Sequence, residues 1–215
     1  MSVSSAACAA NWTGCYVGVH AGAQWSQSDN WTVRTPGAPH TGESLGSHDV
    51  DGGLGGVQAG CDYALPNRIV IGVAASLAGT NSQGSHDSAR ESGVAYYSKV
   101  TSLTTFAIRA GYASDRWFGY VHGGGAWERN EYWANQTVLG TAYKASATLP
   151  GWTVGVGGEY AITPTLSGFV EYAYCDFGTR NISFAPQTGG LAPALVDMAQ
   201  RSNLIRIGIS VRFGG

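Results

Sequence analysis

The chain has 215 residues, enough for one domain with a sizeable core or for one all-β barrel. Only 12% of its residues are charged, about half the share in a soluble domain, and the net charge of −2 offers no basic surface for nucleic acid. Aromatic residues make up 11% and glycine accounts for 32 positions, a combination typical of transmembrane barrels. No apolar run approaches the ~18 residues of a membrane helix, which excludes helical spans but not strands.

Eight segments alternate apolar and polar residues with the period of a β-strand, so each has one apolar face. The fifth is the hardest to phase because its sequence VHGGGAW is rich in glycine, and we predict that Trp117, Val121 and Trp127 face outward. In chain order the predicted strands cover residues 13–25, 54–65, 68–79, 99–114, 116–128, 151–163, 165–178 and the tail from 202.

Short and long connections alternate strictly between these segments. The short ones are residues 65–68, 114–116 and 163–165, and the long polar ones are residues 26–53, 79–99, 129–150 and 178–202. Up-and-down barrels of the outer membrane have this asymmetry, with tight periplasmic turns and long external loops. The predicted fold class is therefore all-β: an eight-stranded antiparallel up-and-down transmembrane β-barrel with short periplasmic turns and four long external loops.

An outer-membrane barrel must be exported, yet residues 1–10 have neither the cationic start nor the apolar stretch of a secretory signal. We therefore expect that the signal peptide is absent from this sequence and that the protein resides in the bacterial outer membrane. Residues 1–12 are assigned to an N-terminal periplasmic tail and residues 13–215 to the barrel.

The polar face of the strands decides between a membrane barrel and a soluble one. A soluble barrel such as a lipocalin would also alternate, but its apolar face would enclose a ligand. Here the polar face combines small residues with a few charges of both signs, which suits the cramped interior of an eight-stranded barrel. Because an unpaired buried charge is costly, we interpret these charges as a salt-bridge plug; a narrow ion path is the alternative. The inward set comprises Gln58, Asp62, Arg109, Glu159, Glu171, Arg206 and Arg212.

The strand sequences also form an ordered series that resembles a known family. The series runs through NWTGCYVGVHAG, GGVQAGCDY, IGVAASLAG and RAGYASDRWFGYVHGGGAW to LIRIGISVRFG, and its most specific part is GWTVGVGGEYAITPTLSGFVEYAYCDFG. It is similar to the small alphaproteobacterial outer-membrane proteins of the RopB type, which are porin-family or OmpA-like barrels. The resemblance implies an eight-stranded outer-membrane barrel with a mainly structural or surface role. Haem binding by some members adds haem capture as an alternative.

The chain departs from that family at several positions. Cys15 and Cys61 stand where the family usually has aromatic residues, and Ala74 stands where it tends to place an inward acid. Both cysteines face outward at the periplasmic rim of neighbouring strands, in a compartment where disulfides persist. We hypothesise a Cys15–Cys61 disulfide; pairing of Cys8 with Cys15 and free thiols are the alternatives.

The end of the chain is a further departure. Barrels of this type usually finish on their last aromatic residue, which the insertion machinery is thought to recognise. Here Phe213 is followed by Gly214 and Gly215. We expect Phe213 to serve as the insertion signal nonetheless.

The long connections hold the remaining candidates. His40, His48 and His86 could bind a metal or haem, but no spacing between them marks a site, so we interpret them as solvated and predict no metal and no cofactor. Aromatic residues such as Tyr97 and Tyr132 are candidates for contact with a partner.

These patterns together predict a protein that is not an enzyme. The expected role is structural or at the cell surface, supporting the envelope and contacting lipopolysaccharide or a partner protein. The expected partners are outer-membrane lipid, lipopolysaccharide, the barrel-insertion machinery and a protein that contacts the external loops; nucleic acid is not one. A low-conductance porin for small solutes is the first alternative, and haem or ligand binding by external loops is the second.

Overall fold

A computed structural model describes residues 11–34, 42, 48–87, 94–136, 141–186 and 194–214. Within these residues, no helix combines the length and the apolar character needed to cross a membrane. The strands are β1 (Gly14–Val33), β2 (His48–Ala64), β3 (Ile69–Thr80), β4 (Gln83–Asp87), β5 (Val94–Ser114), β6 (Trp117–Gln136), β7 (Thr141–Ala161), β8 (Leu166–Pro186) and β9 (Ala194–Phe213).

The strands close into a ring. Pairing is antiparallel throughout, and β9 returns to pair with β1, for example through Val17 and Val211. Segments β3 and β4 are consecutive pieces of one ring position, because both pair with β2 and with β5. The ring thus has eight positions, which confirms the predicted barrel. Among the described residues every ring position pairs on both sides, which suits a hydrocarbon environment, although the β7–β8 ladder is interrupted between Lys144 and Trp152.

Three tight turns define one end of the barrel, the short-turn end. Arg68 and Asp115 adopt the left-handed backbone conformation there, with φ of 67° and 49°, as tight hairpin turns often demand. In the third turn the Thr163 hydroxyl accepts hydrogen bonds from the backbone N–H groups of Thr165 and Leu166 at 3.3 and 2.9 Å. The opposite end is the long-loop end.

At the long-loop end the strands extend beyond their predicted bounds. β6 continues to Gln136 rather than ending at 128, and it pairs there with Thr141, the first residue of β7. Much of the segment predicted as a polar connection is therefore strand. Outward residues in this part include polar ones such as Arg129, whereas the inward Tyr132 is buried. The apolar residues change faces, so the alternation is interrupted although the hydrogen-bonded ladder continues.

A band of apolar side chains surrounds the outer face. Trp117, Val121 and Trp127 are 63%, 60% and 43% exposed, which confirms the predicted phase of the glycine-rich strand. Trp117 packs against Tyr160 near the short-turn end, with 4.7 Å between ring centroids, and Trp152 lies at the opposite border of the band. On β9 the exposed residues are Ile205, Ile207, Ile209, Val211 and Phe213, whereas Arg206 and Arg212 are buried.

The interior is layered rather than uniformly polar, which corrects the predicted polar lumen. The six charged residues predicted to face inward lie between two apolar clusters. The upper of these clusters combines residues of the predicted strands with residues such as Tyr132 and Met198 that were predicted to lie in long connections. The lower cluster, at the short-turn end, consists of Trp12, Val70, Ala113, Phe118, Tyr120 and Ala161. The upper cluster consists of Leu54, Ala78, Leu103, Ala126, Tyr132, Leu149, Ala173, Cys175, Phe177, Ile182, Val196, Met198 and Leu204.

Candidate functional site in the barrel interior

Four charged side chains near the short-turn end form a closed cycle of ion pairs, here called the charge cycle. Arg109 donates to both carboxylate oxygens of Asp62, with Nε 2.7 Å from Oδ1, and its Nη1 lies 3.4 Å from Oε2 of Glu159. Arg212 closes the cycle, with Nη1 2.8 Å from Oδ2 of Asp62 and Nη2 3.4 Å from Oε1 of Glu159. Each charge therefore has two opposite neighbours, and the set is neutral without an added ion.

The charge cycle spans the bore of the barrel. Its members lie on β2, β5, β7 and β9, which are every second position of the ring, so each ion pair passes over one intervening strand. An eight-stranded barrel is just wide enough for side chains to fill it. Four long side chains therefore meet across the bore from four directions at this level.

Aromatic rings close the short-turn side of the cycle. The guanidinium carbon of Arg109 lies 4.5 Å from the ring centroid of Tyr16 and 5.2 Å from that of Phe118. Trp12, in the segment predicted as a tail, is only 4% exposed; its carbonyl accepts a hydrogen bond from Arg212 at 2.9 Å, and its ring packs on Phe118. The residues just before β1 thus enter the barrel and fill its mouth.

A second ion pair, the inner pair, lies farther from the short-turn end. Arg206 donates to Glu171, its register partner on β8, and to the Ser76 hydroxyl at 2.9 Å. The Tyr120 hydroxyl donates to the other oxygen of Glu171 at 2.9 Å, and the ring of Tyr120 also contacts the charge cycle. Nε2 of His122 lies 3.5 Å from Glu171. Tyr120 therefore connects the two charged layers.

The structure brings together all six charged residues proposed from sequence, and each is at most 8% exposed. Gln58 also faces inward and donates to the Ser210 hydroxyl at 3.1 Å. A buried ion pair adds little stability against an apolar replacement, but removal of one partner leaves a charge without compensation. The function of this set as a plug stays a prediction.

Cys15 and Cys61 form a disulfide that joins β1 to β2. They are register partners near the short-turn end, and they lie on the outer face of the barrel. Cys8, of the alternative pairing, lies outside the described residues. Cys175 is a free thiol, fully buried in the upper cluster.

Phe213 ends β9 on the outer face. It is 53% exposed and pairs with Cys15 across the β1–β9 ladder. The Phe213 side chain is therefore accessible to a protein that contacts the last strand of the barrel. Its role as an insertion signal stays a prediction.

Two of the interior side chains were missed by the sequence analysis for different reasons. Trp12 precedes the first strand, so no alternation pattern could place it inside the barrel. Glu128 follows the outward Trp127 and therefore had to face inward, but the predicted strand ended at this residue. The alternation pattern also places the aromatic residues Tyr16 and Phe118 on the inward face, so their position could have been predicted from the sequence.

The structure describes only some of the candidates in the long connections. The described residues contain no group of three or more His, Cys, Asp or Glu that could hold a metal ion. His40 and the side chains of His48 and His86 lie outside the described part of the chain. Tyr132, expected in a loop, is buried in the upper cluster, whereas Tyr97 on β5 is 41% exposed.

Sequence comparison finds relatives over almost the whole chain. The family model of the outer membrane protein beta-barrel domain matches residues 1–213. The 31 kDa outer-membrane immunogenic proteins of Brucella melitensis biotype 1 and Brucella suis biovar 1 are each 30% identical to this chain over 220 residues, covering 94% of it and 84% of the relative.

Structural comparison finds outer-membrane barrels as well. The outer membrane protein OprG from Pseudomonas aeruginosa has a TM-score of 0.64 at 14% identity, covering 96% of this chain and 99% of OprG. A major outer membrane protein from Thermus thermophilus has a TM-score of 0.50 at 11% identity, covering 92% of this chain and 99% of that protein. At these identities the likeness shows the fold alone.

Proposed function

This chain belongs to the family of the outer membrane protein beta-barrel domain, and on that premise we propose that it is a structural and surface protein whose barrel is closed to solutes. The protein resides in the bacterial outer membrane, like its named relatives. The observation that carries the proposal is the charge cycle, because its four side chains meet across the bore.

The energetics of the charge cycle support closure. A continuous water path requires at least one arginine side chain of the charge cycle to move away from both of its carboxylate partners. The other positions that this side chain could take inside the barrel are apolar or already filled by other side chains. Breaking a buried pair costs about 3–5 kcal/mol. Trp12 adds a second barrier at the short-turn mouth, since it is anchored through its carbonyl and its ring.

The long-loop end supports the surface role. Here the strands continue past the apolar band and present polar side chains such as Arg129 and Arg201 outward. We propose that this end contacts lipopolysaccharide or a partner protein, and that it is exposed to the surroundings of the cell. The name of the Brucella relatives, which calls them immunogenic, fits such exposure. We propose that Phe213 is the residue that the barrel-insertion machinery recognises.

A second candidate function, a narrow ion path, rests on unsatisfied polar atoms in mid-barrel. Both ring nitrogens of His20 and Nε of Arg206 are buried without a hydrogen-bond partner in the described interior. Buried groups of this kind usually bind water. Water at this level would extend a conducting path, but the charge cycle would still have to open.

Single-channel conductance of the refolded, heat-modifiable protein in a planar bilayer separates the two candidates. We expect wild type to be silent and the double variant Arg109→Ala, Arg206→Ala to conduct. Arg201→Ala, whose side chain is 53% exposed, is the matched control and should be silent. Steady steps from wild type would support the porin instead. A silent double variant that retains heat modifiability would show that these arginines are not the plug.

We propose neither catalysis nor a cofactor for this chain. The acids and arginines of the interior are sequestered from any substrate, and haem capture has no supporting contact in the described residues. Titration of the refolded protein with haem should leave the Soret band of free haem unchanged, and a saturable shift would contradict this part of the proposal.

A further inference from the structure

Glu128 on β6 is a buried carboxylate that has no cationic partner among the described residues. It is 0% exposed, and its ladder neighbours are the buried Leu103 on β5 and Leu149 on β7. Its side chain meets residues of strands on the opposite side of the ring. Its Oε2 accepts hydrogen bonds from Nε2 of Gln24 on β1 at 2.8 Å and from the hydroxyl of Ser202 on β9 at 3.1 Å.

The group around this carboxylate consists of neutral oxygen-bearing side chains. Its other oxygen accepts hydrogen bonds from the amides of Asn130 and Gln200, both at 3.0 Å, and the hydroxyls of Ser26 and Ser202 lie 2.7 Å apart. Every member is at most 3% exposed. We name this group the polar belt: Gln24, Ser26, Glu128, Asn130, Gln200 and Ser202.

The charge balance of the interior singles out Glu128. The charge cycle and the inner pair are each neutral, so the carboxylate of the polar belt adds one negative charge that nothing in the described interior cancels. Neutral donors satisfy its lone pairs but leave the charge itself in place. Burial of a net charge next to leucine side chains is expensive, and it calls for a counter-charge.

Gln24 indicates where that counter-charge lies. Its Oε1 is buried without a hydrogen-bond partner, while its Nε2 lies 2.8 Å from Glu128, 3.1 Å from Ser26 and 3.4 Å from Ser202. Three oxygens surround a nitrogen that has only two hydrogens to donate. Rotation of the amide by half a turn exchanges two groups of nearly equal shape and turns Oε1 toward the same oxygens. The carboxamide oxygen of Gln24 then lies next to the carboxylate of Glu128, and a cation between these two oxygens would offset their repulsion.

We propose that the polar belt binds one monovalent cation of the sodium type. The ligands are the carboxylate of Glu128, the carboxamide oxygen of Gln24 and the hydroxyls of Ser26 and Ser202, while the amides of Asn130 and Gln200 donate to the other carboxylate oxygen. Hard oxygen ligands without nitrogen or sulfur suit such an ion, and a single positive charge cancels a single carboxylate, whereas a divalent ion would leave an excess. Because the belt is enclosed, the ion enters as the barrel folds. The site does not depend on whether the barrel conducts.

The test measures the urea midpoint of protein refolded in detergent with either Na⁺ or N-methylglucamine at equal ionic strength. Binding to the folded state alone multiplies the folding constant about 100-fold when Na⁺ is at about 100 times its dissociation constant. Glu128→Gln keeps the shape, removes the charge and should lose the Na⁺ dependence. Glu131→Gln, on the outer face of the same strand, is the matched control and should retain it.

Each remaining outcome overturns the proposal. Equal wild-type midpoints in the two cations would exclude the site, and a Na⁺ effect that persists in Glu128→Gln would come from the surface. A pH effect without a Na⁺ effect, lost in Glu128→Gln, would mean that a proton neutralises the carboxylate. If Glu128→Gln does not fold, Gln24→Met replaces it; this variant lacks the amide oxygen and should weaken the Na⁺ dependence at least tenfold.

Discussion

Within the apolar band the barrel has charged side chains inside and valine, isoleucine and aromatic residues outside. Beyond the band, toward the long-loop end, the arrangement is reversed: the upper cluster fills the interior, and residues such as Arg129 and Arg201 face outward. The β5–β6, β6–β7 and β8–β9 ladders run through both halves, whereas the β7–β8 ladder is interrupted between Lys144 and Trp152. The solvent outside the wall therefore decides which face is apolar: hydrocarbon around the band, and water above it.

The two halves also fill the interior by different means. In the band, ion pairs satisfy each other across the bore, and their geometry is specific because every charge must be matched. In the long-loop half, aliphatic and aromatic side chains of the upper cluster pack closely together, and only the polar belt among them requires hydrogen-bond partners. The first arrangement should fail abruptly when one member is lost, whereas the second should lose stability in proportion to the volume removed.

Arg109→Ala should have the largest effect, because it leaves Asp62 and Glu159 with Arg212 as their sole cation in the charge cycle. We expect a loss of about 3–5 kcal/mol in the free energy of unfolding. Urea titration of the protein folded in lipid vesicles measures it. Arg201→Ala breaks an exposed pair with Asp176 and should cost less than about 1 kcal/mol. Equal losses of unfolding free energy in the two variants would contradict the expected difference between the buried charge cycle and an exposed ion pair.

Leu204→Ala tests the long-loop half. Leu204 is 1% exposed in the upper cluster, so truncation leaves a cavity and should cost about 3 kcal/mol in the same titration. The neighbouring Ile205 is 45% exposed on the outer face, and its truncation should cost clearly less. A larger loss at Ile205 would mean that contacts outside the wall, rather than the upper cluster, stabilise this half.

The smallest effect concerns the outer rim, where Asp197 accepts hydrogen bonds from Asn181 at 2.9 Å and from Arg34 at 2.7 Å. These two donors, Asn181 first, lower the pKa of Asp197 below its ordinary value. A lowered folded-state pKa stabilises the protein above the unfolded pKa of about 3.9, and this contribution is lost as the pH falls through the folded value. Because Arg34 is 54% exposed, only a few tenths of a kcal/mol is expected.

A comparison of urea midpoints between wild type and Asp197→Asn checks this pH dependence. The difference should be constant near neutral pH and should vanish in acid. If the difference in urea midpoint grew on acidification, the pKa of Asp197 would be raised in the folded protein rather than lowered.

The sequence predicts the band well and the region beyond it poorly. Between Ile205 and Phe213 the alternation places every side chain on its observed face, because lipid imposes one rule on all strands. Past Trp127 several apolar residues move to the inward face, so a search for one continuous pattern ends the strand at Glu128 and misses its continuation to Gln136. The side-chain contacts between strands could not be predicted either. The alternation shows that Asp62 and Arg212 face inward, but it does not show that they contact each other.

The charge cycle has a consequence for how these sequences can diverge. Since Asp62, Arg109, Glu159 and Arg212 each serve two partners, a substitution at one position leaves the other three with unequal charges. Neutral drift at a single one of these sites is therefore blocked. Changes are expected in combinations that keep the set neutral, such as joint loss of one acid and one arginine or exchange of all four signs. An alignment of relatives should therefore show covariation among these four positions, which come from four separate strands.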